Sequence, residues 1–130
     1  FGREATQWDI VKYIYGSYVN MGATRSEIQI VLSYYGVGSS VMVPISGWVI
    51  TYGQICQQVI NYRSPIGMIV PGHFAVLCGV WQYYDVNGYL QNYTIVMDPA
   101  KGKLIYIPDE ELRNDNGYWD LREALRIYKL

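Results

Sequence analysis

The stretch Ile66-Gly67-Met68-Ile69-Val70-Pro71-Gly72-His73-Phe74-Ala75-Val76-Leu77-Cys78-Gly79-Val80-Trp81 sets the fold class. Two apolar runs rich in Val and Ile flank Pro71-Gly72, where a ring-fixed φ precedes a residue free to take positive φ. The pattern predicts strands over 66–70 and 74–81 joined by a tight turn. The same texture recurs at 90–97 and 103–107, set off by Asn87-Gly88 and Ala100-Lys101-Gly102. Asn87-Gly88 predicts a type I′ turn, whose two central residues need positive φ. One helical turn over 108–113 and a closing strand over 125–130 complete this half.

The first half has a different period. Ala5, Trp8, Val11, Ile14 and Tyr15 recur three and four apart and Gly16 follows, which predicts a helix over 5–15. Thr24 and Glu27 form a capping-box pair before the apolar stripe Ile28, Val31, Leu32, Tyr35, and Gly36 ends that helix. A loop over 36–40 leads to an extended piece over 41–45, which Pro44 confines to a sheet edge. Thr51 and Gln54 open a third helix to about residue 61, with Ile55, Gln58, Val59 and Tyr62 on one flank. Helices followed by an antiparallel sheet predict an α+β domain with segregated layers.

Composition bounds the function. A chain of 130 residues is the size of one domain, and 51% hydrophobic against 16% charged residues supports a packed core. Ten Lys and Arg against eleven Asp and Glu give a net charge of −1, without the basic stripe that a phosphate backbone requires, so nucleic acid is not an expected partner. The longest apolar run, 66–70, is far short of the ~20 residues of a membrane span, and no signal peptide follows Phe1. No phosphate loop or metal-ligand cluster appears, so no cofactor is expected. Tyr supplies 14 residues against four Trp and two Phe, an excess suited to half-buried strands and contact surfaces.

The single histidine, His73, stands at the start of an apolar strand, and Asp98 ends the strand that follows the next hairpin. Adjacent strand ends are rigid mounts. A carboxylate there would fix the imidazole tautomer and stabilise the imidazolium, the relation of a base to its orienting group. A nucleophile is still required. Cys56 lies within the third helix and Cys78 within a strand, on the face opposite His73 by alternation. Neither opens a helix, both are expected to be buried and structural, and a bond between them is left open. Asn92-Tyr93-Thr94 matches a glycosylation acceptor that is frequent by chance, and Asp109-Glu110-Glu111 reads as a solvated helix start. The aromatic hairpin of 81–84 and Tyr89 either walls a substrate groove or packs on its partner strand.

Gly72-His73-Phe74-Ala75-Val76-Leu77-Cys78-Gly79-Val80, followed by Tyr93-Thr94-Ile95-Val96-Met97-Asp98-Pro99, resembles the His-strand and Asp-Pro pattern of bacterial papain-like cysteine peptidases of the C39-like and AvrRpt2-like groups. The segment from Gln54 to Pro65 is similar to the helix and Pro that precede the histidine strands in that family. The resemblance implies a papain-like fold with N-terminal helices on a C-terminal antiparallel sheet. It also implies peptide-bond hydrolysis of a peptide or protein substrate, His73 and Asp98 as catalytic residues, and a secreted or extracytoplasmic setting. The family opens its central helix on Cys-Trp, a placement at which the helix dipole favours thiolate. Here the helix over 5–15 looks like the continuation of that helix, its start is expected to point at His73, and Cys-Trp does not precede it. The nucleophile is therefore expected upstream of Phe1, in a native N-terminal segment that this chain lacks. The alternatives are a papain-like binding module that has lost its thiol and, with a poorer match at Asp98-Pro99, an NlpC-type cell-wall hydrolase.

Overall fold

A computed structural model describes residues 24–45, 49–98 and 102–130. The helix expected over 5–15, and with it the direction of its start, lies outside the described residues, as does Pro99. The architecture is α+β, built on a six-stranded antiparallel sheet. The strands are β1 (Val37–Val41), β2 (Ile66–Val70), β3 (His73–Tyr84), β4 (Leu90–Asp98), β5 (Lys103–Pro108) and β6 (Glu123–Lys129), in the spatial order β1-β6-β2-β3-β4-β5. Strands β2 to β5 are consecutive hairpin neighbours, whereas β6 returns to lie between β1 and β2. Among the described residues, that return leaves β1 and β5 as the two edges.

Helix α1 (Arg25–Tyr34) forms as the sequence predicts, with Thr24 Oγ1 accepting from the Glu27 amide and the Glu27 carboxylate accepting from the Thr24 amide. It buries Ile28 and Val31, and Arg25 reaches Glu123 of β6 at 3.2 Å. The second predicted capping box is also present: Thr51 and Gln54 exchange hydrogen bonds at the start of α2 (Tyr52–Cys56). Instead of one uniform helix to 61, the chain loosens into a π-helical turn, Gln57–Asn61, and leaves it through Arg63 at φ 52. A short helix α3 (Asp109–Leu112) follows β5.

Three expectations need correcting. The first strand lies at Val37–Val41 rather than 41–45, because β6 offers backbone partners to Val37 through Val41 and Pro44 has no amide to donate. The hairpin between β3 and β4 is not a type I′ turn. Asp85 closes a three-residue loop by accepting from the Gly88 amide and donating to the Tyr89 carbonyl, and only Gly88 takes positive φ (82°). Asp85 Oδ1 accepts from the Asn87 and Tyr89 amides as well, and these amide bonds, Tyr89 foremost, hold its carboxyl below the usual range. Finally, β3 contains a bulge: Leu77 pairs with Val96 but Gly79 pairs with Ile95, leaving Cys78 without a partner residue.

The bulge reverses the alternation of β3. Ala75 and Leu77 point into a core shared with Ile55, Ile66, Met68, Val96, Ile107 and Leu112, and after the bulge it is Val80 that packs there. Trp81 and Tyr83 consequently lie on the other face, against Tyr93 and Tyr106 with ring centroids 4.9 to 5.9 Å apart. The aromatic hairpin thus packs across neighbouring strands, on the sheet face away from Leu77 and Val96.

Candidate functional site

The turn between β2 and β3 comprises Pro71 and Gly72, with Val70 opposite His73. Gly72 supplies φ 66, which the third position of a type II turn requires. A Cβ there would meet nothing within 4 Å, so conformational freedom and not close approach is its contribution. His73 is therefore the first ladder residue after the tightest turn in the sheet. Asp98 is the last residue of β4, and one step beyond the pair Val76 and Met97 it falls across from Ala75. His73 and Asp98 are then diagonal neighbours on one face, a spacing that long side chains bridge.

They do meet: His73 Nε2 stands 3.1 Å from Asp98 Oδ1. The Asp98 side chain is fully buried and that of His73 is 9% exposed. The imidazole N–H is not aligned on the carboxylate, so the pair is in contact without a well-formed hydrogen bond. With Nε2 turned to the carboxylate, Nδ1 is the nitrogen left to take or give a proton.

Two aromatic rings enclose the imidazole. Trp119, 8% exposed, packs edge-on at 5.9 Å between centroids, and Tyr118, largely exposed, lies at 6.1 Å. They are held by a stitched turn: the Asp120 carboxylate accepts from the Asn116 amide and pairs with Arg122 at 2.8 Å, while the Arg122 amide donates to the Ile69 carbonyl of β2. Apolar rings exclude water from the His73–Asp98 contact and so strengthen its electrostatics. The sequence reading missed both rings. Their signal was an aromatic pair set in a Gly- and Asx-rich turn.

The cysteines are both free thiols, and neither is fully buried as expected. Cys56 is half-buried near Tyr52. Burial, then the negative charge of Asp109, pushes its thiol pKa up, against a lowering by the Tyr52 hydroxyl. Such a thiol is poorly activated. Cys78 is exposed because the bulge frees it from the ladder, and its Sγ lies 3.5 Å from the Ile95 carbonyl. Five residues along β3, it is roughly 16 Å from His73. Among the described residues, then, His73 and Asp98 are brought together, and no contact between either cysteine and this pair is seen. Asn92 accepts a hydrogen bond from Gln82 at 2.7 Å within the β3–β4 ladder. Asp109, which heads α3, forms a two-bond pair with Arg113, whose guanidinium also reaches the Ile50 carbonyl. Among the described residues no group of three or more His, Cys, Asp or Glu is placed to hold a metal ion, and no helix is long and apolar enough to cross a membrane.

A buried carboxylate orienting a partly shielded imidazole can run general base and general acid steps for a nucleophile brought to Nδ1. No protein-family model, curated protein or solved structure matches this chain.

Proposed function

We propose that the chain carries the His–Asp half of a papain-like cysteine peptidase, whose thiol comes from a residue outside this sequence. The observation that supports the reading is the 3.1 Å approach of His73 to a fully buried Asp98 at the ends of neighbouring strands. In the reaction, His73 accepts the thiol proton and the thiolate attacks the peptide carbonyl. The resulting imidazolium gives that proton to the leaving amine as the C–N bond breaks. Water, deprotonated by His73, then attacks the thioester and releases the acid and the thiol. Asp98 holds the imidazole by its Nε2 side throughout, and the substrate is a peptide or protein.

The test is a version of the chain extended upstream by its native residues, assayed beside the 130-residue chain for turnover of a mixed peptide library and for iodoacetamide labelling. The extended chain is expected to be active and labelled at a new Cys, the short chain inactive. His73→Ala or Asp98→Asn in the extended chain is expected to lower kcat/KM at least about 100-fold. Activity of the short chain that vanishes on Cys56→Ser or Cys78→Ser would place the nucleophile elsewhere and overturn this assignment. One observation favours a second reading, a binding module that has lost its thiol: Cys78 lies five residues along β3 from His73, and burial pushes the Cys56 thiol pKa up. Peptide binding without turnover in both versions would support it.

A further inference from the structure

We infer that the end of the sheet opposite His73 carries a separate binding site for a small carboxylic acid with a flat apolar body, anchored on Arg126. A pocket of about 320 Å³ opens there, lined by Gln58, Tyr62, Ser64, Arg126, Ile127 and Tyr128. Arg126 pairs with Ile66 across the sheet whereas His73 pairs with Val70, so the pocket lies roughly 13 Å from the His–Asp pair along β2. The site does not depend on the peptidase reading.

Arg126 is exposed and can offer its charge to an occupant of the pocket. Arg25, Arg113 and Arg122 each face a carboxylate, at 3.2, 2.9 and 2.8 Å. Among the described residues Arg126 has no acidic partner. Its Nε instead donates at 3.0 Å to Oε1 of Gln58, a side chain only 2% exposed. A buried neutral amide holds the guanidinium plane in place without neutralising it. With Nε so engaged, the two terminal nitrogens remain as a fork, the geometry that binds both oxygens of a carboxylate side by side. The Tyr62 and Tyr128 side chains, both partly exposed, line the pocket beside it and suit a flat apolar body.

The backbone of this wall departs from regular helix in two adjoining places. Gln57–Asn61 is π-helical, and Arg63, between two lining residues, is held at φ 52, a left-handed conformation that costs a non-Gly residue energy. Two bonds hold it: the Ser64 amide donates to the Gln58 carbonyl at 3.2 Å, and Ser64 Oγ donates to the Tyr62 carbonyl at 3.2 Å. These departures put Gln58 inward, under Arg126, and the Tyr62 ring outward, 59% exposed at the pocket. Strain that persists around a pocket is the pattern of a built site. The volume lies at the lower end of the ~300–1,000 Å³ typical of small-molecule sites, so the occupant is small.

A free aromatic acid and the C-terminal carboxylate of a peptide share this chemistry, and titrations followed by amide NMR separate them. The probes for the 130-residue chain are benzoate, the neutral isostere benzamide, and acetyl-Ala-Phe with a free or amidated C-terminus. Benzoate is expected to give saturable shifts at the amides of Tyr62, Ser64, Ile127 and Tyr128, with benzamide at least about tenfold weaker because it lacks the charge. Tighter binding of the free-acid peptide than of benzoate, lost on amidation, would assign the ligand to chain ends. Tighter binding of benzoate would assign it to free acids. Arg126→Gln, with near-UV circular dichroism as the check on folding, is expected to weaken benzoate by about tenfold and leave benzamide unchanged. Equal response to benzoate and benzamide in the unaltered chain overturns the proposal, and this comparison needs no variant to fold. Unchanged benzoate affinity in a folded Arg126→Gln protein overturns it too. Inactivity of the upstream-extended chain in the peptidase assay bears on neither result.

Discussion

The two halves of the β3–β4 hairpin are made of similar residues and do opposite things. Before the bulge, Ala75, Leu77 and Val96 are fully buried and carry His73 and Asp98 at their far end. Beyond it, Trp81, Tyr83 and Tyr84 are 37 to 72% exposed, and Trp81 and Tyr83 pack on each other and on Tyr93. One unpaired residue, Cys78, makes the difference by turning the apolar stripe over. A rigid mount for chemistry and an aromatic surface can thus be cut from a single pair of strands. What ties the second half back to the body is Tyr52 of α2, whose hydroxyl donates to the Tyr93 carbonyl at 2.7 Å with the Trp81 carbonyl at 3.4 Å.

Truncating the buried half should cost most. Leu77→Ala removes a side chain with no exposure from the centre of the core and is expected to lower stability by about 2–5 kcal/mol in urea unfolding. A loss under about 1 kcal/mol would mean that the mount is loosely packed and the contrast with the outer half is false. Tyr52→Phe should have an intermediate effect of about 1 kcal/mol at neutral pH, from the lost hydroxyl bonds. It also has a pH signature. Burial pushes the Tyr52 phenol up from 10.0 to about 12, so the fold favours its neutral form. That contribution is intact below pH 10.0, where the unfolded phenol is still protonated, and is lost as pH rises toward about 12. The urea midpoint of the unaltered chain should therefore fall more steeply over this window than that of Tyr52→Phe. Parallel slopes would show that the phenol is not desolvated. Cys78→Ser should change stability by less than about 0.5 kcal/mol, because the bulge leaves this side chain exposed. Fast labelling of Cys78 with an exposed-thiol reagent, and slower labelling of Cys56, checks the same assignment.

What could be read from the sequence was local. Thr24 with Glu27 and Thr51 with Gln54 carry their capping partners three residues away, and both boxes form. His73 and Asp98 were legible because each ends a strand and consecutive strands pair, which brings their ends together without further information. The features that escaped depend on partners remote in sequence. The span of β1 is decided by β6, some ninety residues later, and Trp119 meets His73 in a turn that the Arg122 amide ties to β2. The bulge escaped for another reason: 74–78 is an unbroken apolar run that shows no alternation to interrupt, and Gly79 was the one local hint that the ladder slips there. The π-helical turn likewise follows a capped helix whose apolar flank continues unbroken through Val59.

The two edge strands bear on how the molecule avoids its own copies. Strand β5 opens on Lys103 and closes on Pro108, a charge at one end and a residue without an amide at the other, so little of its open side can template a further strand. At the opposite edge, β1 is five residues long and Pro44 follows shortly after. Both margins are thereby poor seeds for edge-to-edge aggregation, a protection that a sheet with six strands and exposed Val, Tyr and Trp side chains requires.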